Sequence, residues 1–187
     1  MKHILIAILL SAIASASTVR ESPAAAVRTS ETCGDPANAV PYYRSYNPAV
    51  VDHFYTTDVA LVSQAIAVAA YTLQEVAAMV FVTNEESTVQ LFRLFSPGAT
   101  DNFYTTSTTE VNSALQNGYA LVTFEPTTFI YPTQICGSVP FYRLFSATGL
   151  DNFYTTSESE RISFLSQGYT DVEITGYVLP LEPTQCD

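Results

Sequence analysis

The chain repeats itself three times. VPYYRSYNPAVVDHFYTTD begins at Val40, VQLFRLFSPGATDNFYTTS at Val89 and VPFYRLFSATGLDNFYTTS at Val139, steps of 49 and 50 residues. A fixed period of this size means that each copy is one supersecondary unit that cannot bury its apolar face alone. Three copies are too few for an open stack with separate caps. They are expected to close on one another, which buries every apolar face and leaves no bare strand edge. Inside each copy an Arg is followed eight residues later by an Asp: Arg44 and Asp52, Arg93 and Asp101, Arg143 and Asp151.

Each copy has a readable local structure. The aromatic-Arg segment alternates and marks a strand. A loop of Asn, Pro, Ser, Gly and Thr follows, and F-Y-T-T forms a second strand, so the pair reads as a hairpin. Ser107-Thr108-Thr109-Glu110 and Ser157-Glu158-Ser159-Glu160 fit the capping box, in which Ser accepts from the third helical amide and Glu reaches back to the cap amide. A short helix should then run to Gly118 and Gly168, where glycine takes the left-handed conformation. Tyr119 and Tyr169 lead into an extended apolar stretch. The unit is β-β-α-β. The fold class is α+β, mixed β with short helices, with the three repeats closed into a pseudo-threefold, small propeller-like or trefoil-like domain. The helices argue against a standard trefoil. In the first copy Asp58 can cap, but Leu61 replaces the Glu and no Gly ends the helix. That helix is more apolar, so it is expected to be more buried or to contact a partner.

Residues 1–16 read as a secretory signal peptide. Lys2 and His3 start it, Ile4 to Leu10 is an apolar run, and Ala14-Ser15-Ala16 fits cleavage before Ser17. The run is too short to span a bilayer, and no later segment has 18 consecutive apolar residues. Residues 17–32 read as a flexible extension or short propeptide. Residues 33–187 then form one domain, with repeats at about 40–88, 89–138 and 139–187. The chain holds 18 acidic residues against 7 Lys+Arg, a net charge of −11, and its single Lys lies in the leader. Such a surface repels phosphate backbones and anionic lipid, which excludes nucleic acid and membrane surfaces as partners. With 48% apolar residues, 11 Phe and 12 Tyr, there is too much core material for a disordered chain.

Three cysteines bear on closure. Cys33 precedes the first copy, Cys136 the third, and Cys186 marks where a fourth would begin. In a closed ring that place coincides with the start of the first copy, so a Cys33–Cys186 disulfide is expected, in an oxidising compartment. Cys136 then has three readings: a buried reduced thiol, an intermolecular bridge giving a dimer, or the true partner of one of the others.

Nucleophilic catalysis needs an imidazole or similar base, and the only His beyond the leader is His53. Its counterparts are Asn102 and Asn152, which suits a hairpin hydrogen-bonding residue better than a base. No second His or Cys cluster forms a metal site, and no Gly-rich phosphate loop is present. No catalytic residue, metal or cofactor is therefore assigned. A glycosidase-type carboxylate pair is the one enzymatic option. Glu110 and Glu160 are explained by the capping box, and Glu75 and Glu173 match each other with Thr123 between them.

Each Arg has two readings: it tucks against aromatics and pairs with the Asp of its own hairpin, or Arg and Asp line equivalent sugar pockets with a Tyr ring stacking on the sugar face. Tyr43, Phe92 and Tyr142 interchange, which points to core packing. Tyr55, Tyr104 and Tyr154 keep the hydroxyl in every copy, as do Tyr71, Tyr119 and Tyr169. A retained hydroxyl means a satisfied buried hydrogen bond or a ligand contact.

With YR, D-[HN]-F-Y-T-T, a following Glu and GY in series, the sequence resembles a repeat domain of unknown function found in secreted proteins of fungi and bacteria. The resemblance covers about residues 33–187. Relatives of this kind stand alone as small secreted proteins or are attached to wall-degrading hydrolases such as lysozyme-like enzymes. That association implies a glycan- or wall-binding module and carries over no catalytic residue.

The expected function is lectin-like binding of glycan or cell-wall polysaccharide by a secreted protein, at up to three equivalent sites that raise avidity on a polymer. The ligand candidates are Arg44, Asp52, His53 and Tyr55; Arg93, Asp101, Asn102 and Tyr104; Arg143, Asp151, Asn152 and Tyr154. The rivals are a protein-binding or inhibitory factor using the inter-strand loops, a small glycan-active enzyme, and a wall-resident protein cross-linked through Cys136.

Overall fold

A computed structural model describes residues 32–181. The expected signal peptide and Cys186 lie outside the described residues. After a short 3-10 turn at Pro36–Asn38, the first copy gives β1 (Ala39–Asn47), β2 (Asp52–Thr56), α1 (Val59–Ala69) and β3 (Thr72–Phe81). The second gives β4 (Val89–Ser96), β5 (Asp101–Thr105), α2 (Thr108–Gln116), β6 (Ala120–Leu121) and β7 (Thr128–Ile130). The third gives β8 (Val139–Ser146), β9 (Asp151–Thr155), α3 (Glu158–Ser166) and β10 (Thr170–Val178). The fold is α+β, mostly sheet with three short helices. No helix among the described residues is long and apolar enough to cross a membrane.

The strands form two antiparallel sheets, neither closed on itself. One has seven strands in the order β2-β1-β3-β7-β4-β5, with β6 beside β4; the other is β10-β8-β9. Single bridges Met79–Leu179 and Tyr131–Tyr177 join them through backbone hydrogen bonds of 2.8–3.0 Å. Gly176 permits this approach, since a Cβ there would lie 2.5 Å from Ile130 Cδ1. The second copy breaks the expected unit. Its last strand divides into β6 and β7 around Glu125-Pro126, where proline removes a ladder donor.

Local signals explain most elements. Asp58 Oδ1 accepts from Ala60 N at 2.8 Å, and Ser107 and Ser157 accept from Glu110 N and Glu160 N at 3.3 and 3.2 Å. Gly118 and Gly168 follow α2 and α3 with φ of +88° and +93°, as the sequence predicts. The reciprocal half of the capping box is absent. The Ser107 and Ser157 amides donate to Thr105 and Thr155 Oγ1 (2.9 and 3.0 Å), which releases both glutamates for other partners. Helix α1 is not the buried helix that its apolar sequence suggests, with Val62 its only buried residue and Val68 76% exposed, which leaves contact with a partner as the other expectation. The core-packing expectation holds for Phe92, which is half-buried against Leu94, Phe103, Val111 and Ala114. Tyr43 and Tyr142 are half-buried too, and the chain neighbours Tyr42, Leu91 and Phe141 point inward and pack with Tyr55, Tyr104, Tyr154, Ala78, Val80, Ile130 and Val178.

The disulfide joins Cys33 to Cys136, with Cα atoms 5.7 Å apart, not Cys33 to Cys186. The Tyr131 hydroxyl accepts from Gly34 N at 3.1 Å, and its ring packs edge-on against Phe81, which brings the segment leading to Cys136 beside the start of the domain. Cys136 is thereby bonded within the chain, which removes the basis for a dimer through it.

Candidate functional site

The described copies are joined by hydrogen bonds that pass from each hairpin to another and return. Asn102 donates its backbone N and Nδ2 to Asp52 at 2.9 and 2.7 Å. Asn152 does the same to Asp101 at 2.9 and 2.7 Å. His53 N donates to Asp151 at 2.8 Å, and its Nδ1 lies 2.7 Å from the other oxygen. The hydroxyls of Tyr71, Tyr119 and Tyr169 donate to the same three carboxylates, Asp52, Asp101 and Asp151. This answers one question about the retained tyrosines: their hydroxyls hold the aspartates.

The three carboxylates lie within 4.8 Å of one another and are fully buried, the one group among the described residues with the geometry to hold a metal ion. Their lone pairs already face Asn, His and Tyr donors. Burial pushes the Asp52 carboxyl up to about 7 against the Tyr71 and Asn102 hydrogen bonds, and pushes Asp101 up as well. The cluster was unreadable in the sequence because its members are about 50 residues apart; the recurring Asp was the signal.

Tyr55, Tyr104 and Tyr154 form a second cycle one layer deeper. Tyr55 Oη donates to Tyr154 O (2.7 Å), Tyr104 Oη to Tyr55 O (2.8 Å) and Tyr154 Oη to Tyr104 O (2.7 Å). Each hydroxyl also accepts a backbone N–H: from Tyr154 to Tyr55, from Tyr55 to Tyr104, and from Tyr104 to Tyr154, at 2.8–2.9 Å. The rings meet edge-on at 5.4–5.6 Å.

The arginines do not bond the aspartates of their own hairpins. Each reaches into another copy. The Arg93, Arg143 and Arg44 guanidinium carbons lie over the Phe54, Phe103 and Phe153 rings at 4.3, 4.3 and 4.9 Å. Arg44 pairs with both Glu160 oxygens at 2.9 and 2.6 Å and with Glu75 at 3.1 Å. Arg143 pairs with Glu110 at 2.9 Å and Glu173 at 3.3 Å. Burial opposes the Arg44 charge, and Glu160 more than offsets it, holding the guanidinium above its usual range. For Arg93 the helix position holds Leu61, so Glu125 takes over from the broken strand. It contacts Arg93 Nη1 at 3.1 Å and accepts from Thr56 Oγ1 at 2.8 Å. Arg93 and Arg143 also donate to Asn102 and Asn152 Oδ1 at 2.8–3.0 Å, whereas Arg44, facing His53, leaves Nε without a partner.

The three junctions beside these arginines differ at one helix position among others. Seven residues after the cap stand Ala65, Ala114 and Phe164. Ala65 lines an apolar cleft of about 460 Å³ between the first and second copies, with Leu61, Val68, Phe54, Tyr71 and Phe124. Ala114 lines a polar cleft of about 370 Å³ between the second and third, with Glu110, Asn117, Asn152, Arg143 and Tyr119 above Phe103. At the third junction Phe164 lies on Phe153 with centroids 3.6 Å apart and planes 3° from parallel.

Residues 41–179 match the family described as a domain of unknown function (DUF5648). The chain belongs to that family. No curated protein and no solved structure matched the chain.

Within this family domain the ligand candidates separate by position. Arg93 and Asn102 line the apolar cleft, and Arg143 and Asn152 the polar one. Asp52, Asp101, Asp151, Tyr55, Tyr104 and Tyr154 are at most 1% exposed and bond one another's copies. Arg44 and His53 are buried at the junction that Phe164 fills. Ala65, Ala114, Phe164, Phe124, Glu125, Asn117 and Val68 went unremarked in the sequence. The first three were detectable by aligning the helices copy against copy.

Proposed function

We propose that the chain is a secreted carbohydrate-binding domain whose sugar site is the polar cleft between the second and third copies. In this reading the three copies form a closed, pseudo-threefold ring around the cycle of Tyr55, Tyr104 and Tyr154. The observation that carries the reading is the chemistry of the cleft wall. Glu110, Ser113, Asn117 and Arg143 line this cleft together with Phe103, which lies beneath the Arg143 guanidinium. The exposed Ser113 and Asn117 side chains and the Glu110 carboxylate, grouped beside the Arg143 guanidinium, suit the hydroxyls of a pyranose. The three-site expectation contracts to one site, because Phe164 fills one junction and Leu61, Val68 and Phe124 make another apolar. The intramolecular disulfide supports an oxidising, extracellular setting.

The test is a glycan array with residues 17–187, including chitin, β-glucan and peptidoglycan fragments. Binding that disappears in Ala114→Phe, with the fold retained, supports the site. Binding to none of these, or binding indifferent to Ala114→Phe, overturns it. The rival reading, a protein-binding factor, draws on exposed Val50 and Leu150 at two hairpin tips. Substitutions in loop 46–51 would abolish partner capture under that reading and leave glycan binding intact under ours.

A further inference from the structure

The sugar site proposed above leaves the apolar cleft between the first and second copies unused, and the filled junction offers a comparison for its shape. At that junction Phe164 lies flat on Phe153, with Tyr169 edge-on at 5.0 Å and His53 at 5.8 Å. The first cleft presents the corresponding wall: Phe54 for Phe153, Tyr71 for Tyr169 and Asn102 for His53. Ala65 stands where Phe164 does, so the helix supplies no ring to this cleft. We propose that this cleft binds a small, neutral, planar aromatic molecule of one or two fused rings, in the place that the Phe164 ring takes at the third junction.

Three observations select that chemistry. The charge of Arg93 is cancelled by Glu125, which contacts it at 3.1 Å, so the wall offers no unpaired cation to an acid. Leu61 replaces the glutamate found at the other two junctions, and Val68 replaces Asn117 and Gln167, so the helix side of the cleft is apolar but for Gln64. The chain holds no Phe, Tyr or Trp in residues 1–31 or 182–187, so its remaining segments supply no ring of their own. A cleft of about 460 Å³ is within the range of small-molecule sites.

The probe is 2-naphthol, titrated into the full chain by fluorescence and calorimetry, with cyclohexanol as an apolar ligand lacking a planar ring. The expected result is saturable one-to-one binding of 2-naphthol, with cyclohexanol weaker by about tenfold or more. Ala65→Phe, which supplies the plug, should weaken 2-naphthol by about tenfold or more, and Ala114→Phe should leave it within about twofold. Leu61→Glu, which restores the residue type of the other junctions, should weaken it as well and serves if Ala65→Phe does not fold. No saturable 2-naphthol binding, equal cyclohexanol binding, or an equal loss in Ala114→Phe would each overturn the proposal. Because Ala65→Phe leaves the polar cleft untouched, glycan binding by that variant reports separately on the sugar site.

Discussion

Phe164 stacks on Phe153 at 3.6 Å, and this pair makes the third junction a packed core where the other two are open. The junctions thus present different surfaces, with Ala65, Ala114 and Phe164 at the matching helix position. Replacing Phe164 with Ala removes the ring and opens the junction. The expected cost is about 2–4 kcal/mol, below that of a fully buried Phe because Phe164 is half-buried. Urea unfolding of Phe164→Ala against the parent checks it, and a change under 1 kcal/mol would show the ring to be dispensable.

The tyrosine cycle makes a sharper claim. The Tyr104 hydroxyl accepts from Tyr55 N and donates to Tyr55 O, both inside the core. Tyr104→Phe leaves a buried donor and a buried acceptor without partners, and the expected loss is about 2–4 kcal/mol. Tyr55→Phe and Tyr154→Phe should cost similar amounts, since each carries the same two bonds. Pairs of these changes should be non-additive in a double-mutant cycle. Denaturation midpoints give the readout.

Acidity should stabilise the protein. The buried Asp52 carboxyl is raised to about 7, above its value in an unfolded chain, so the folded state holds more protons between about pH 4 and 7. That stabilisation is fully present below the unfolded value and is lost as pH rises through about 7. Its size is about 4 kcal/mol. Glu160 acts on the other side. Burial opposes its charge, but the Arg44 hydrogen bonds hold it below the usual range, so its contribution is lost as pH falls below that range. The melting temperature should peak near pH 4–5 and fall toward pH 8. Asp52→Asn should flatten that fall. A melting temperature that rises from pH 5 to 8 contradicts the assignment.

The three hairpin turns store strain at one place. Val51, Thr100 and Leu150 hold φ of 55°, 54° and 55°, the left-handed region where a side chain meets the carbonyl. Thr100→Gly relieves that clash at some cost in unfolded-chain entropy, for a net gain of about 0.5–1 kcal/mol. Thermal melts of the single variant decide it, and destabilisation would show that the Thr100 side chain makes a contact worth more than the strain.

Much of the fold was legible because its signals are local. The hairpins, the caps at Asp58, Ser107 and Ser157 and the helix ends at Gly118 and Gly168 all lie within a few residues of their cause. What was illegible acts between copies. The eight-residue Arg–Asp spacing suggested a pair, yet each Arg spans to a Phe and, in two copies, to a helix Glu of another hairpin, so spacing carried no information about the partner. The glutamates fit a capping box and left it because Thr105 and Thr155 satisfied the cap amides first. Cys33 appeared to face a fourth-copy position, but Tyr131 anchors the segment that places Cys136 there instead. The apolar run of α1 suggested burial or contact with a partner; it lines an open cleft.

The central claim is that sugar is bound at the polar junction. Amide chemical-shift mapping tests it most directly, with chitin, β-glucan and peptidoglycan oligosaccharides titrated into the labelled chain. The account predicts saturable shifts centred on Asn117, Tyr119, Asn152 and Thr170, absent in Ala114→Phe. Shifts confined to the hairpin tips around Val50 and Leu150, or none with any of these sugars, would contradict it.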